Sequence, residues 1–280
     1  MSIAAADKTT ATETVPRAGR RWRLGGLRRL ILAPLFFLAV MVALEIGVPL
    51  SGVSSMTMVP PSAVIEALQQ HYAILLQQAV PTLKEVVMGF ALASLLGIVL
   101  GAAIASSERV RQALYPNMVF FQVIPKIALA PLFIVWLGVG TPSRLAFAVF
   151  IAFFPIAVST ATGLSSTSRD ALRLCRSLTA SPWQTFLAVR FPYAVPYIFA
   201  GLKVGVTMSV IGIVVGEFVT AQAGLGYIVM FTSSAAETAL ALSAILLLCG
   251  IGVGLFLLVS LAEFVVVRRL GAPIPAGEFA

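Results

Sequence analysis

The chain has 280 residues, 59% of them hydrophobic and only 11% charged, with a mean hydropathy of +1.01. A soluble domain carries about 25% charged residues, so this chain cannot clothe itself in polar surface; the composition excludes a soluble globular domain and requires a polytopic helical membrane protein. The net charge of +8 would suit nucleic acid, but Arg17, Arg20, Arg21, Arg23, Arg28 and Arg29 crowd ahead of the first apolar run and the other cations sit mostly in alternate loops, the positive-inside distribution rather than a nucleic-acid patch.

Residues 1–29 read as a basic cytosolic tail. Its GRRWRL stretch has the look of an export signal, but the apolar run behind it is long enough to span and has no small-residue cleavage site. The first span is expected over Leu30–Leu50. A polar outer segment follows, with a short helix begun at Pro60-Pro61 and capped by Ser62. His71, the lone histidine, falls in that outer segment with no carboxylate or cysteine beside it, so it reads as solvated. The second span is expected over Thr82–Ala105, the third over Leu114–Leu137 and the fourth over Leu145–Gly163. The fifth covers Tyr197–Thr220 and the sixth Ala239–Val267, with a partly re-entrant outer segment between them. The membrane-spanning body is thus 30–268, followed by a short cytosolic tail, 269–280. Both termini lie inside, and only Lys84, Lys126 and Arg144 depart from the charge rule.

Pro125 and Pro131 in the third span predict a break, and irregular backbone at membrane depth must face protein or a water-filled cavity. Lys126 sits at that break. Two readings stand: Lys126 and Gln122 line a path for an anionic or polar solute, or the lysine snorkels or neutralises an internal carboxylate. Glu217, in the outer part of the fifth span, could pair with Lys126, gate the outer mouth or face an external partner; Glu45 and Glu263 are expected to be wetted at span ends. Gly97/Gly101, Gly201/Gly205, Gly212/Gly216 and Gly250/Gly254 form close-approach faces, for packing within the chain or for a dimer seam. Cys175 and Cys249 have neither the spacing nor the setting of a disulfide or a metal site. There is no phosphate-binding GxxxxGK[ST] loop, no Ser/His/Asp set and no metal cluster, so no catalytic, cofactor-binding or metal residue is expected in this chain.

The longest charged interruption after the N-terminus runs over about 164–192. Ser168 can cap a first helix with Ala171, Leu174, Cys175 and Leu178 on one stripe, and Arg169, Arg173 and Arg176 off it. Thr179-Ala180-Ser181 breaks that helix. Ser181, Pro182 and Gln184 then form a capping box with proline at the first helical position. Trp183, Phe186 and Leu187 make the second apolar face, and Phe191-Pro192 is expected to end the second helix. An amphipathic helix pair of this kind either rests on the bilayer or docks in a groove of a cytosolic partner.

This segment resembles the cytoplasmic coupling (EAA) loop of permease subunits of bacterial ABC importers. The family pattern is Glu-Ala-Ala, three residues, Gly, nine residues, Ile-x-Leu-Pro. It falls here on Arg173, Leu174 and Cys175, on Thr179, and on Val189, Arg190, Phe191 and Pro192. The spacing is intact, while Arg173 replaces the preferred Glu and Thr179 the preferred Gly. The stretches IPKIALAPLFIVWLGVG (124–140), FFPIAVSTATGL (153–164) and GEFVTAQAGLGYIV (216–229) extend the resemblance to the nitrate/sulfonate/taurine-like group, over about residues 60–268. The resemblance implies an all-α, six-span type I importer permease (MetI-like) fold in the inner membrane. It implies ATPase coupling through Arg173, Leu174, Cys175, Thr179, Ala180, Ser181, Trp183, Phe186, Val189 and Pro192. It also implies partners: a cytosolic ABC ATPase dimer that holds the ATP and Mg, a second permease copy (identical or different), and a periplasmic or lipid-anchored solute-binding protein. The solute is then a sulfonate-, taurine- or nitrate-like anion, or a pyrimidine- or riboflavin-like precursor. The rival readings are an ion-gradient-driven secondary transporter, for which no internal repeat is visible, and a membrane scaffold or receptor without transport.

Overall fold

The computed structural model describes residues 22–54, 56–220 and 222–270; the predicted tails 1–29 and 269–280 lie outside these residues except at 22–29 and 269–270. Every regular element among the described residues is helical. The chain divides into two compact units, Met1–Gly52 and Val53–Ala280.

The first unit holds α1 (Trp22–Leu50), which begins earlier than the first predicted span. Leu35, Phe36, Phe37 and Leu38 are all exposed on successive positions, so the helix is apolar all round, as a lipid-facing helix is.

In the second unit, α2 (Pro61–Gln70) starts with Pro61 at N1 and Pro60, not Ser62, at the N-cap position. Among the described residues, four helices are long and apolar enough to cross a membrane: α3 (Tyr72–Ser106), α6 (Thr141–Ser165), the continuous helix Pro182–Thr220, and α11 (Thr238–Leu270). The second span therefore begins well before Thr82; the stretch around Tyr72 that reads as loop is helix, because its polar Gln77 and Gln78 are good helix formers. The third predicted span is broken as its prolines require. Helix α4 (Glu108–Val123) stops before Pro125, a 3-10 turn covers Lys126–Leu129, and α5 (Ala130–Leu137) restarts with Pro131 in its first turn.

Helix α6 is the centre of the unit, packed along α3 on one side and along the Pro182–Thr220 helix on the other. Glycines make that close packing possible. A Cβ on Gly97 would lie 2.7 Å from Ile156 Cβ, one on Gly101 2.6 Å from the Ala157 carbonyl, one on Gly201 2.7 Å from Ser159 Cβ and one on Gly212 2.6 Å from Ala148 Cα. Three of the four glycine faces thus serve contacts within the chain, whereas Gly250 and Gly254 have nothing within 4 Å. Replacing Gly101 with valine should destabilise the helix pair by about 1–3 kcal/mol, because the neighbour is backbone and cannot give way; Gly254→Val should leave the thermal midpoint of the solubilised chain unchanged.

The charged interruption folds as α7 (Arg169–Ser177), a tight turn, and α8 (Pro182–Thr185). The second helix does not end at Phe191-Pro192. A π turn over Phe186–Arg190 follows α8 and leads without a break into α9 (Phe191–Thr220). Pro192 explains the π turn: a proline has no N–H for the carbonyl four residues back and its ring crowds that carbonyl, so the ladder widens and the Phe191 N–H bonds to the Phe186 carbonyl instead. The short helix α10 (Leu225–Ser234) buries Leu225, Ile228 and Val229 against Leu75 of α3 and Ala244 and Leu248 of α11.

Candidate functional site

Two regions carry the polar chemistry of the second unit: the α7–α8 knob, and a buried polar seam where α3, α6, α9 and α10 meet.

In the knob, helix α7 ends in a complete Schellman motif. The Ala180 N–H donates to the Cys175 carbonyl at 3.0 Å and the Thr179 N–H to the Arg176 carbonyl at 3.1 Å. This motif needs a left-handed residue at its centre, and Thr179 takes φ 53° there. Glycine is the usual occupant, because a Cβ is crowded in that conformation. The turn therefore keeps its shape at a local cost, and Thr179→Gly should slow hydrogen exchange of the Thr179 and Ala180 amides about fivefold, since left-handed non-glycine residues cost on the order of 1 kcal/mol. Unchanged exchange would mean that the bond from Thr179 Oγ1 to the Leu178 carbonyl (2.8 Å) already offsets the strain.

The predicted capping box is formed. Ser181 Oγ accepts from the Gln184 N–H at 3.2 Å and Gln184 Oε1 accepts from the Ser181 N–H at 2.8 Å. Ser168 occupies the N-cap position of α7 without a side-chain bond to the helix. Leu174, Leu178 and Trp183 are 60%, 69% and 67% exposed, so the two apolar stripes face away from the body of the unit. Phe186 does not follow them. It is half-buried, stacked beneath Trp183 with ring centroids 5.7 Å apart, and packed with Phe191 against Leu164, Ala194 and Ile198. Cys175 and Val189 are half-buried, and Pro192 lies in the first turn of α9.

In the seam, Glu85 of α3 pairs with Arg144 of α6. Arg144 donates through Nε to Glu85 Oε2 at 2.7 Å and through Nη2 to Oε1 at 2.5 Å, while Thr141 Oγ1 adds a bond to Oε1 at 2.9 Å. This is the bidentate geometry in which an arginine best matches a carboxylate. Arg144 also reaches Thr220 Oγ1, at 3.4 Å. Its aliphatic stem lies over Gly216, where a Cβ would come within 2.8 Å of Arg144 Cγ.

Next to this pair, Gln78, Thr82 and Glu217 hold the N-terminus of α10. The N–H groups of Gly224, Leu225 and Gly226 donate to Gln78 Oε1 (2.7 Å), Thr82 Oγ1 (2.9 Å) and Glu217 Oε2 (2.7 Å), and Thr82 Oγ1 donates to Glu217 Oε1 (2.7 Å). The first N–H groups of a helix have no partner within it and favour an anion; here side chains of α3 and α9 supply the acceptors. Gly224 is required twice over: its φ is 111°, and a Cβ there would collide with the Glu217 carboxylate.

Glu217 therefore points to α10, and Lys126 is not its partner. Lys126 is half-buried at the break in the third span, with Nζ 5.7 Å from the centre of the Phe154 ring. Phe154 is itself stacked with Phe121 and in tilted contact with Phe153. Gln122 lies within α4, but its side chain is outside the described residues. Glu263 is not wetted as expected: Lys203 Nζ lies 2.6 Å from Glu263 Oε2, with side chains 21% and 15% exposed, so α9 and α11 are tied by an ion pair.

The profile of the family described as binding-protein-dependent transport system inner membrane component matches residues 71–271. The chain belongs to that family. This permease is 37% identical over 193 residues to the formylaminopyrimidine transport permease protein ThiX of Halalkalibacterium halodurans, covering 69% of this chain and 77% of that one. It is 32% identical over 237 residues to the riboflavin transport system permease protein RibX of Chloroflexus aurantiacus, covering 84% and 88%. To the taurine transport system permease protein TauC of Escherichia coli it is 31% identical over 184 residues, covering 63% and 67%. Among solved structures, an inward-facing MetNI methionine ABC transporter matches with TM-score 0.60 at 19% identity, over 72% of this chain and 98% of that chain. The permease is thus a type I ABC importer subunit with the MetI-like fold, a multi-pass inner-membrane component.

Sequence reasoning missed Gln78, Thr82 and Glu85 as functional candidates. They recur at helical spacing on one face of α3, and Arg144 stood out as an outer cation, but the partners they hold in the seam lie 56 and more residues away in sequence.

Proposed function

We propose that this permease moves a small solute into the cytoplasm by alternating access, driven by a separate ATPase that docks on the knob formed by α7 and α8. The observation that carries this reading is the unbroken 39-residue helix Pro182–Thr220, which joins the exposed knob at one end to the polar seam at the other. At 1.5 Å per residue it is roughly 55–60 Å long. A push at Trp183 is carried as a rigid displacement to Glu217 and Thr220, and through Glu217 to α10. The π turn at Phe186–Arg190 is the one irregular point on that rod, so it is where the knob can tilt.

On this reading the termini and the knob face the cytoplasm, ATP and Mg are held by the partner, and the chain has no ATPase site of its own. Two permease copies, the same or different, enclose the path, and an external binding protein delivers the solute. Lys126 lines the path at the broken span, where a half-buried cation among aromatic rings attracts an anionic or polar solute. The named relatives support two solute classes: a taurine-like sulfonate anion, and a pyrimidine- or flavin-like heterocycle.

The test is uptake by proteoliposomes that hold the complex purified from its native membranes, with its own binding protein and a panel of radiolabelled taurine, nitrate, hydroxymethylpyrimidine and riboflavin. Uptake of one class that requires ATP inside the vesicle and falls about tenfold or more with Lys126→Gln supports the reading. Uptake driven by an ion gradient without ATP overturns it in favour of a secondary transporter.

A further inference from the structure

We infer that the knob fits an ATPase groove with acidic lips and an apolar floor, so that this permease selects its ATPase by charge. The inference rests on the reading of α7–α8 as the docking element.

Arg169, Arg173 and Arg176 fall at i, i+4 and i+7 on α7 and are all exposed, so they form one stripe. Leu174 and Leu178 form a second exposed stripe beside it, and Trp183 extends it across the turn. Between residues 169 and 192 there are four arginines against a single acid, Asp170. Asp170 does not neutralise the stripe: it lies 3.5 Å from Arg173 with side chains 90% and 75% exposed, and a pair so solvated contributes little. Helix stability accounts for Arg176, which stands in the last turn of α7, but not for the whole stripe. Arg169 stands in the first turn of α7, where the helix dipole disfavours a cation.

An exposed apolar patch beside an arginine stripe is the composition of a protein-binding surface rather than of solvated helix. Guanidinium groups in a row match carboxylates in a bidentate manner. The shape favours a protein groove over a lipid surface. A Schellman turn ends α7 and a capping box starts the next helix four residues later, so the exposed apolar positions are carried on a tight turn, where a membrane-resting helix would lie as one extended amphipathic cylinder.

The experiment is a salt titration of the complex, purified with its own ATPase through a tag on the permease and immobilised in mild detergent. The ATPase released at each NaCl concentration is measured for the wild type, for Arg173→Glu/Arg176→Glu and for Arg173→Lys/Arg176→Lys. The expected result is release from the wild type as salt rises, about tenfold or greater loss of retained ATPase at 150 mM NaCl for the glutamate variant, and near-normal retention for the lysine variant. The thermal midpoint of the permease alone should be unchanged, since both arginines are solvent-exposed. Equal retention in all three with the same salt tolerance overturns the inference while leaving ATPase docking intact. If retention is equal but the glutamate variant loses the dependence of ATPase activity on phosphatidylglycerol in the vesicles, the stripe belongs to the membrane and the inference is also overturned. If the wild type holds no ATPase at any salt concentration, the docking assignment falls, and this inference with it.

Discussion

Replacing Trp183 with aspartate should abolish ATP-driven uptake while leaving the permease inserted and folded. Trp183 is the largest exposed apolar side chain at the tip of the knob and contacts its own chain chiefly through its stack on Phe186. A buried aromatic anchor at a protein interface is worth about 2–4 kcal/mol, so the aspartate should weaken ATPase binding by roughly 30- to 1,000-fold. Two measurements decide it: ATPase recovered with the tagged permease, and the thermal midpoint of the permease alone. Loss of the first with no change in the second is the expected pattern. Phe186→Asp is a poorer probe, because Phe186 packs against Leu164, Ala194 and Ile198 and its loss disturbs the permease's own core. Normal ATPase recovery with Trp183→Asp would remove the tip from the docking surface.

Arg144→Ala should be the most destabilising single change in the seam. The Arg144 and Glu85 side chains are only 13% and 9% exposed, so truncating the arginine strands a carboxylate in a site with little access to water. Breaking a buried pair from one side costs about 3–5 kcal/mol, which for a chain of this size lowers the thermal midpoint by roughly 10 °C. Removing both charges together, as Glu85→Gln with Arg144→Met, should recover most of that loss, because the penalty comes from the orphaned ion more than from the missing attraction. A shift of under about 2 °C for Arg144→Ala would mean that water hydrates Glu85 and that the seam is wetter than its burial implies.

These two predictions concern the regions at the two ends of the Pro182–Thr220 helix, Trp183 at its start and Arg144, which reaches Thr220 from α6, at its finish, and they were not equally legible in the sequence. The knob could be read in advance because its signals are local: the Ser181–Gln184 box, the apolar spacing of Leu174 and Leu178, and the spacing from Arg173 to Pro192 all lie within a few helical turns. The break at Pro125 and Pro131 was legible for the same reason. The continuation through Pro192 was not. A proline normally stops a helix, and here a widened turn absorbs it because Phe186 and Phe191 are held by the cluster around Ala194 and Ile198.

The polar seam shows the other limit. Glu217 was visible as an intramembrane acid, yet nothing nearby in the sequence indicated that it would cap α10, because its partners Thr82 and the Gly226 N–H come from different elements. Glu263 read as a wetted span-end charge, and the structure pairs it with Lys203 of α9.

The sequence by itself determined that this chain lives in a membrane, is helical, belongs to the importer permeases and exposes an amphipathic knob. Those properties follow from hydropathy, charge placement and short-range spacing, which act over a few residues and need no knowledge of the fold. Only the tertiary structure decided which charges are paired, which glycines are seams within the chain, and which aromatic of the knob faces outward. In a medium without water each buried polar group must find its partner among helices brought together by packing, and that choice is made by the whole arrangement of α3, α6, α9 and α10 at once.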